Sequence, residues 1–313
     1  MQGVLLTKYI EKSSLLFTLI LTTHVFSIIC LNIMFKGEFK FDLHDALMAR
    51  GAQYCRAYHT TNEPVDKWLP MTPVSKPRVL TVAASGDQPL MYKSAGASHI
   101  DTFDITFNAC AVMDFKMSAL QLTESFAEYQ DMVGNLIKLD ELDTTGTRQH
   151  ATFMRIVDNM PQRTRQLMQN IIRRNLYQDA FSQHTARKLR FPTDATQFQE
   201  MKACAEKPFN FIWSDLINVH RYINDTYDII NVSNIFDHYL WYKNSPKSVL
   251  DSIKSLWPHL RSGGYMLCTS TSEENIITIK LIATQIAKLD TDISLYNNLS
   301  HYPWMTIVLQ KSR

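Results

Sequence analysis

The sequence predicts an α/β fold, with a doubly wound and mostly parallel sheet of seven strands, a helical insertion and an N-terminal helical extension. Short runs of β-branched and apolar residues recur along the chain, and segments with apolar residues at helical spacing separate them. A small turn that contains Ser85 and Gly86 joins the first of these runs to the first helix. Regular alternation of strands and helices is typical of a parallel sheet with helices on its faces.

The first crossover of this sheet lies between residues 79 and 122. Residues 79–84 are predicted as a buried strand and residues 87–95 as the helix that follows it. Residues 99–103 are predicted as a second strand and residues 107–122 as a second helix. Strand, helix, strand and helix in this order indicate a βαβ unit, the building block of Rossmann-like sheets.

The second half of the chain continues the alternation. Four further strands are predicted at residues 209–213, 227–232, 265–269 and 305–310. Helices are predicted at residues 245–260 and 273–288, and the Gly263-Gly264 pair is predicted to end the first of them. Because the last strand lies near the C-terminus, it is expected at the edge of the sheet.

The chain divides into an apolar N-terminal segment, residues 1–40, and a Rossmann-like domain, residues 41–313. A polar, arginine-rich helical insertion at about residues 124–196 separates the two halves of the sheet. We expect this insertion to cap the carboxyl edge of the sheet. Its basic run at residues 173–190 is interpreted either as a solvated helix face or as a surface that lies on an anionic membrane.

Composition excludes several classes of protein. The net charge of +2 gives no reason to expect a nucleic-acid partner. The five cysteines are scattered and form no CxxC pair, so neither a zinc site nor a disulfide framework is expected. This usage predicts a reducing compartment, and therefore a cytoplasmic protein.

The N-terminal segment has three interpretations. Residues 13–35 contain no charged side chain and are long enough to span a bilayer, which needs about 20 apolar residues. The segment is interpreted as a membrane anchor, as a buried or interfacial helix, or as a non-native extension upstream of Met34. With the basic insertion, an anchor would associate the protein with the cytoplasmic face of a membrane.

A ligand site is predicted where the first strand ends, because ligands of open α/β sheets bind beyond the carboxyl ends of the strands. The turn consists of Ala84, Ser85, Gly86 and Asp87. Its glycine is expected to let a ligand approach the backbone closely. Only one glycine of the three in a dinucleotide fingerprint is present, so a ligand without a pyrophosphate is favoured.

Acidic residues follow the next two strands. Asp104 and Ile105 end the second strand, where an acid can accept hydrogen bonds from both ribose hydroxyls. Asp215 ends the third strand and can accept from an adenine amino group. A nucleoside pocket without a phosphate clamp predicts S-adenosyl-L-methionine as the cofactor, with no metal. The alternatives are that Gly86 only forms a turn, that Asp104 caps a helix, and that Asp215 starts a loop.

Three segments resemble the betaine lipid synthase family: "QYCRAYHTTNEPVDKWL", "RVLTVAASGDQPLMYKSAGASHIDTFDITFNACAVMDFKMSAL" and "YDIINVSNIFDHYL". The members of this family are S-adenosylmethionine:diacylglycerol 3-amino-3-carboxypropyl transferases with a class I methyltransferase-like fold. The resemblance runs from about residue 41 and is weakest in the insertion. The family's Trp-Glu-Asp segment retains only Glu63 here, and its Asp-x-Asn-Pro segment becomes Asp104-Ile105-Thr106-Phe107.

The resemblance implies transfer of the 3-amino-3-carboxypropyl group to an acceptor such as a lipid hydroxyl. It adds Ser233 and Asn234 to the cofactor-binding residues. Asp237, His238 and Tyr239 follow them and are the candidates for a general base or an orienting group. The alternatives are an S-adenosylmethionine-dependent methyltransferase, an enzyme that cleaves the cofactor without an acceptor, and a non-catalytic cofactor-binding protein.

Overall fold

The computed structural model describes residues 39–41, 57–58, 63, 74–134, 136, 148–174, 181–182, 191–241, 244–286, 291–297 and 305–311. Contacts divide the chain into two units, residues 1–39 and 40–313, and the account below concerns the second. The apolar segment at residues 13–35 lies outside the described residues, so its three interpretations stay predictions.

Ten strands are present among the described residues. In chain order they are β1 Phe39–Phe41, β2 Ala57–Tyr58, β3 Arg78–Val82, β4 His99–Asp104, β5 Phe181–Ser182, β6 Asn210–Trp213, β7 Tyr227–Ser233, β8 Leu260–Ser270, β9 Thr291–Asn297 and β10 Met305–Lys311. The two short strands β2 and β5 form a separate parallel pair.

Nine α-helices are described. They are α1 Asp87–Ser94, α2 Phe107–Leu122, α3 Phe126–Gly134, α4 Arg148–Asp158, α5 Gln162–Arg174, α6 Ala195–Cys204, α7 Ile235–Trp241, α8 Pro246–Leu256 and α9 Glu273–Ile286. The helices α1 and α2 begin where the sequence predicts them, after the turns that follow β3 and β4.

The main sheet has the order β1-β6-β4-β3-β7-β8-β10-β9. The pairs β6-β4, β4-β3, β3-β7 and β7-β8 are all parallel, whereas β10 runs antiparallel to both β8 and β9. The chain winds outward from β3 to β4 and β6 and then crosses back to β7, so the switch point of the topology lies between β3 and β7. This arrangement confirms an α/β fold with a mostly parallel, Rossmann-like sheet.

Both faces of the central strands are covered, which explains their nearly continuous apolar sequences. All seven residues of β7 are buried. On β3, Leu80 and Val82 belong to a core cluster that includes Val249 and Ile253 of α8. Since side chains alternate along a strand, Val79, which precedes Leu80 and is fully buried, faces the opposite layer of helices.

Two sequence-based expectations about the second half of the sheet are wrong. The strand β10 is not an edge strand, because β8 and β9 pair with it on either side. Gly263 and Gly264 do not end a helix, because α8 ends at Leu256 and both glycines lie within β8. A Cβ atom on Gly264 would lie 2.8 Å from the carbonyl oxygen of Asp228, so the glycine is required by the close approach of β7.

The number of strands also differs from the expectation. All six strands that the sequence locates are present, but the total of seven is not confirmed, since the described sheet has eight strands. The two that sequence patterns do not locate are β1 and β9.

The insertion packs against α2 through a buried ion pair. The guanidinium of Arg163 on α5 donates to both carboxylate oxygens of Asp114 on α2, with N–O distances of 3.0 and 2.9 Å. It also donates to the carbonyl oxygen of Phe209, 2.9 Å away. Beside this pair, the rings of Phe115 and Phe153 have centroids 4.9 Å apart. A bidentate pair of this kind gives the helices of the insertion a defined orientation on α2.

No helix in the described part of the chain is both long enough and apolar enough to cross a membrane. Cys110, Cys204 and Cys268 are free thiols, and the other two cysteines, Cys30 and Cys55, lie outside the described residues.

Candidate functional site

Asp104 joins the ends of two neighbouring strands. Its Oδ2 accepts a hydrogen bond from the backbone N–H of Ala84, in the turn after β3, at 2.9 Å. Its Oδ1 accepts from the backbone N–H of Thr106 at 3.0 Å. Burial raises the pKa of Asp104 to about 6, although hydrogen bonds from these backbone N–H groups partly oppose the shift. A buried carboxylate therefore lies at the carboxyl edge of the sheet.

Asp215 lies at the adjacent strand end. The strand β6 pairs with β4 so that Trp213 is opposite Asp104, and the Ser214 N–H donates to the Asp104 carbonyl oxygen at 3.1 Å. Asp215 follows directly and is half-buried. Its Oδ1 accepts from the backbone and side-chain nitrogens of Asn218, at 2.9 and 3.0 Å. The structure therefore brings the two predicted acids to neighbouring strand ends.

Ile105 continues from Asp104 along the same edge. It is half-buried, and its carbonyl oxygen accepts a hydrogen bond from the indole Nε1 of Trp213 at 2.9 Å. This hydrogen bond connects the turn after β4 to the end of β6. The Ile105 side chain itself takes no part in it and is partly exposed to solvent.

The turn at Gly86 has a packing requirement that the sequence did not predict, and close approach of a ligand to this turn stays a prediction. Gly86 has φ +80° and ψ −10°, a left-handed conformation that glycine adopts without steric cost. A Cβ atom there would lie 2.9 Å from the Cα of Met113 on α2. The glycine is thus required by close packing of α2 against the turn. The preceding Ala84 also has a positive φ, of 44°.

The side chains of Ser85 and Asp87 contact the protein interior. Asp87 and Lys116 are both completely buried, and the Lys116 ammonium pairs with Oδ1 of Asp87. The Ser85 hydroxyl donates to Oδ2 of Asp87 at 3.0 Å. Burial lowers the pKa of Lys116, and the charge of Asp87 opposes that shift. Cofactor binding by these two residues stays a prediction, and it would involve their backbone atoms.

Ser233 ends β7 on the other side of β3. It has a positive φ of 54°, which is uncommon for serine, and its N–H donates to Oδ1 of Asn231 at 2.9 Å. Its side chain is buried, whereas Asn234, the next residue, is exposed. Such backbone strain is found preferentially at functional sites.

Glu63 is part of this region, although sequence reasoning did not select it as a site residue. Its carboxylate accepts from the hydroxyl of Ser233 and from Nε2 of Gln88, the latter at 3.3 Å. Gln88 Nε2 also lies 3.2 Å from the Ser233 hydroxyl. Burial raises the pKa of Glu63 to about 7. The only sequence signal was its match to a glutamate of the family that the chain resembles.

The three candidate catalytic residues have different surroundings. Asp237 is buried, and its carboxylate accepts from the Asn275 side chain at 2.8 Å and from the Thr271 N–H at 3.3 Å. Tyr239 is buried in the apolar core. His238 is half-buried, and its ring centroid lies 6.4 Å from that of Tyr239. Catalytic roles for these residues stay predictions.

A group of possible metal ligands lies at the opposite edge of the sheet. Atoms of His99, Asp101 and Asp225 come within 4.8 Å of one another. However, Asp101 accepts from the Tyr227 hydroxyl at 2.5 Å, and Asp225 pairs with Arg78 at 2.6 Å. These protein contacts are sufficient to explain why the three side chains lie close together.

No protein-family model and no curated protein matches the chain. Among solved structures, the chain is similar to the rRNA methyltransferase aviRa from Streptomyces viridochromogenes, with 10% identity and a TM-score of 0.42. That match covers 86% of this chain and 93% of the other. It is also similar to the N-methyltransferase NodS from Bradyrhizobium japonicum in complex with S-adenosyl-l-homocysteine, with 8% identity, a TM-score of 0.40, and coverage of 86% and 99%.

A third similar structure is an rRNA methylase from Streptococcus thermophilus, with 9% identity, a TM-score of 0.38, and coverage of 79% and 93%. At these identities and TM-scores, the similarities carry no argument about the activity of this chain. The fold assignment depends on the strand order and pairing described above.

Replacing Gly86 by alanine is expected to lower the free energy of unfolding by about 1–3 kcal/mol, because alanine is strained at this φ and its Cβ meets the Met113 backbone. Urea denaturation measures the loss. Gly134→Ala is the control, because a Cβ there meets nothing within 4 Å. Equal losses in the two variants would contradict the packing requirement.

Glu63→Gln is expected to change how stability depends on pH. The folded-state pKa of Glu63 is about 7 against a usual 4.5, so the group stabilises the fold below pH 4.5 and loses that contribution as pH rises through 7. Wild type should therefore lose stability relative to the variant across this window. Urea unfolding on both sides of it provides the measurement, and a constant difference would show that Glu63 titrates normally.

Proposed function

We propose that this chain is an S-adenosylmethionine-dependent transferase that binds the cofactor across the carboxyl ends of β6, β4, β3 and β7. The observation that supports this most directly is the position of Asp104. Its carboxylate is hydrogen-bonded to the turn after β3, and Asp104 pairs with Trp213 at the end of β6, two residues before Asp215. Ligands of open α/β sheets bind at this edge, next to the switch point.

The polar groups at this edge suit a nucleoside. Backbone N–H groups of Ala84, Thr106 and Ile105 donate to the Asp104 carboxylate, whose two oxygens have about four acceptor sites in all, so acceptor capacity remains for a hydroxyl donor. The carboxylate can accept from a ribose hydroxyl at the site that remains. Asp215 Oδ1 accepts hydrogen bonds from Asn218, and Oδ2 of the same carboxylate can accept one from an amino group. The single-glycine turn argues against a pyrophosphate.

When bound, S-adenosylmethionine supplies a sulfonium with three carbon substituents. An acceptor atom bonds to one of these carbons as the carbon–sulfur bond breaks and its electron pair stays on sulfur. The chain has to align the acceptor, a contribution worth about 7–11 kcal/mol in well-oriented reactions. It also has to accept the proton of the acceptor, for which the half-buried imidazole of His238 and the carboxylate of Asp237 are the proposed groups.

The resemblance to betaine lipid synthases supports the 3-amino-3-carboxypropyl group as the one transferred, with a lipid hydroxyl as acceptor. Methyl transfer is the second candidate, and a specific departure from that family favours it. In place of the family's Asn-Pro, the chain has Thr106 and Phe107, and the Thr106 hydroxyl accepts from the Asn108 N–H at 3.3 Å and caps α2. The turn beside the proposed ribose acid therefore differs from the family's pattern, and this reduces the support that the resemblance gives to the family's own transferred group.

Incubation of the full chain with labelled S-adenosylmethionine and a lipid extract tests the proposal. Methylthioadenosine together with a labelled lipid indicates aminocarboxypropyl transfer, and methylthioadenosine alone indicates cleavage of the cofactor. S-adenosylhomocysteine indicates methyl transfer. If neither product forms, the chain is a binding protein and the transferase proposal fails.

Asp104→Asn is expected to weaken S-adenosylmethionine binding about a hundredfold, because a hydrogen bond between a hydroxyl and a carboxylate is lost. In wild type, affinity should fall as pH drops through about 6, where the Asp104 carboxyl becomes protonated. Titration calorimetry measures both effects. Asp101→Asn is the control, since Asp101 lies on the same strand away from the carboxyl edge. Equal losses in both variants would remove Asp104 from the site.

A further inference from the structure

A lysine and an aspartate form an ion pair in the protein interior, beside the turn after β3. The ammonium of Lys116 on α2 pairs with Oδ1 of Asp87, the first residue of α1, and both side chains are 0% exposed. Oδ2 of Asp87 accepts a hydrogen bond from the Ser85 hydroxyl at 3.0 Å, and Ser85 is also completely buried. Polar contacts therefore run from α2 through Asp87 to the middle of the turn.

The backbone of this turn is unusual. Ala84 has φ 44° and Gly86 has φ 80°, so two of three consecutive residues lie in the left-handed region. This region is costly for alanine, and such a residue stays in it only where surrounding contacts hold it there. The Gly86 N–H donates to the Ala83 carbonyl oxygen at 2.7 Å, and this hydrogen bond closes the turn. The turn therefore depends on contacts from outside itself to keep its conformation.

Helix α2 contacts the turn at two positions. Met113 packs against Gly86, and Lys116, three residues later, pairs with Asp87. Because residues three apart lie on the same face of a helix, both contacts come from one face of α2. At the start of the turn, the carboxylate of Asp104 accepts a backbone N–H. The ion pair is therefore the contact that fixes the other end of the turn, where α1 begins.

Stability of the fold does not by itself explain an ion pair at this depth. Taking an ammonium and a carboxylate out of water is costly, and apolar side chains of similar size often give equal or greater stability in their place. The lowered pKa of Lys116 reflects this cost, because burial disfavours the charged form. Apolar side chains, however, offer no acceptor to the Ser85 hydroxyl and no directed bond between α2 and the turn.

We propose that Asp87 and Lys116 are positioning residues, which hold the turn after β3 in the conformation that the cofactor requires. This inference rests on the proposed function, in which the backbone of the turn contacts the cofactor. Neither side chain touches the ligand, since both are completely buried. Asp87 acts through the backbone of the turn, and Lys116, which the sequence patterns did not single out, acts through Asp87.

A double-mutant cycle separates positioning from stability. Asp87→Asn and Lys116→Met each leave one buried partner without its counterpart, so each should lower the unfolding temperature. The combined variant removes both charges, and its unfolding temperature should return close to that of wild type. Its affinity for S-adenosylhomocysteine should nevertheless stay about tenfold weaker than that of wild type, because the turn is no longer fixed. Thermal unfolding and titration calorimetry measure the two properties.

Hydrogen exchange at the Gly86 amide reports on the turn itself. The chain has 9 glycines, so selective ¹⁵N labelling of glycine gives an NMR spectrum with few signals. In the combined variant the Gly86 N–H, which donates to Ala83, should exchange about tenfold faster, while the other glycine amides keep their rates. The matched control is Asp114→Asn with Arg163→Met, which removes another buried ion pair of α2, directed at the insertion. This control should change neither Gly86 exchange nor S-adenosylhomocysteine affinity.

The outcomes separate this inference from the proposed function. If affinity returns together with stability in the combined variant, or if Gly86 exchange is unchanged, the ion pair serves the fold alone, and the inference is wrong while the proposed function stands. The inference is also wrong if the combined variant unfolds as early as the single variants, or if the control weakens binding equally, because lost stability or a general effect of α2 would then explain the result. If wild type does not bind S-adenosylhomocysteine, the proposed function fails and this inference fails with it.

Discussion

The hydrogen bond between the Ala84 N–H and the Asp104 carboxylate determines the arrangement of the candidate site. It connects the turn after β3 to the end of β4, the two strands from which the chain winds outward. Removing a carboxylate from water is costly, and backbone N–H groups offset part of that cost here. The close contact between Gly86 and Met113 supports the same turn from the side of α2.

Four of the buried acids in the described part of the chain fall into two groups with different surroundings. Asp114 is paired with Arg163 and Asp87 with Lys116, and these pairs fasten helices to one another. Asp104 and Glu63 accept hydrogen bonds from neutral groups, and burial raises the pKa of each. Both acids of the second group lie beside β3, at the turn that follows it or at the end of β7. Perturbed carboxyl groups at a ligand-binding edge are a physical indication of a functional site.

Local sequence patterns predicted the elements better than their order. Residues 107–122 have the bounds of α2 itself, because Thr106 caps this helix and apolar residues follow at helical spacing. The position of β10 was not predicted, because an alternating strand near the C-terminus can lie at the edge of a sheet or, as here, between β8 and β9. Gly263 and Gly264 were assigned to a helix end for a similar reason, since a glycine pair occurs both after helices and in distorted strands.

The sequence by itself determined the alternation of strands and helices and placed Asp104 and Asp215 after successive strands, because each of these features depends on residues close together in the chain. Only the tertiary structure decided that Gly86 is required by α2, that Asp87 pairs with Lys116, and that Glu63 meets a serine 170 residues away. Such contacts depend on which strands become neighbours, and that is settled by packing of the whole sheet rather than by any local pattern.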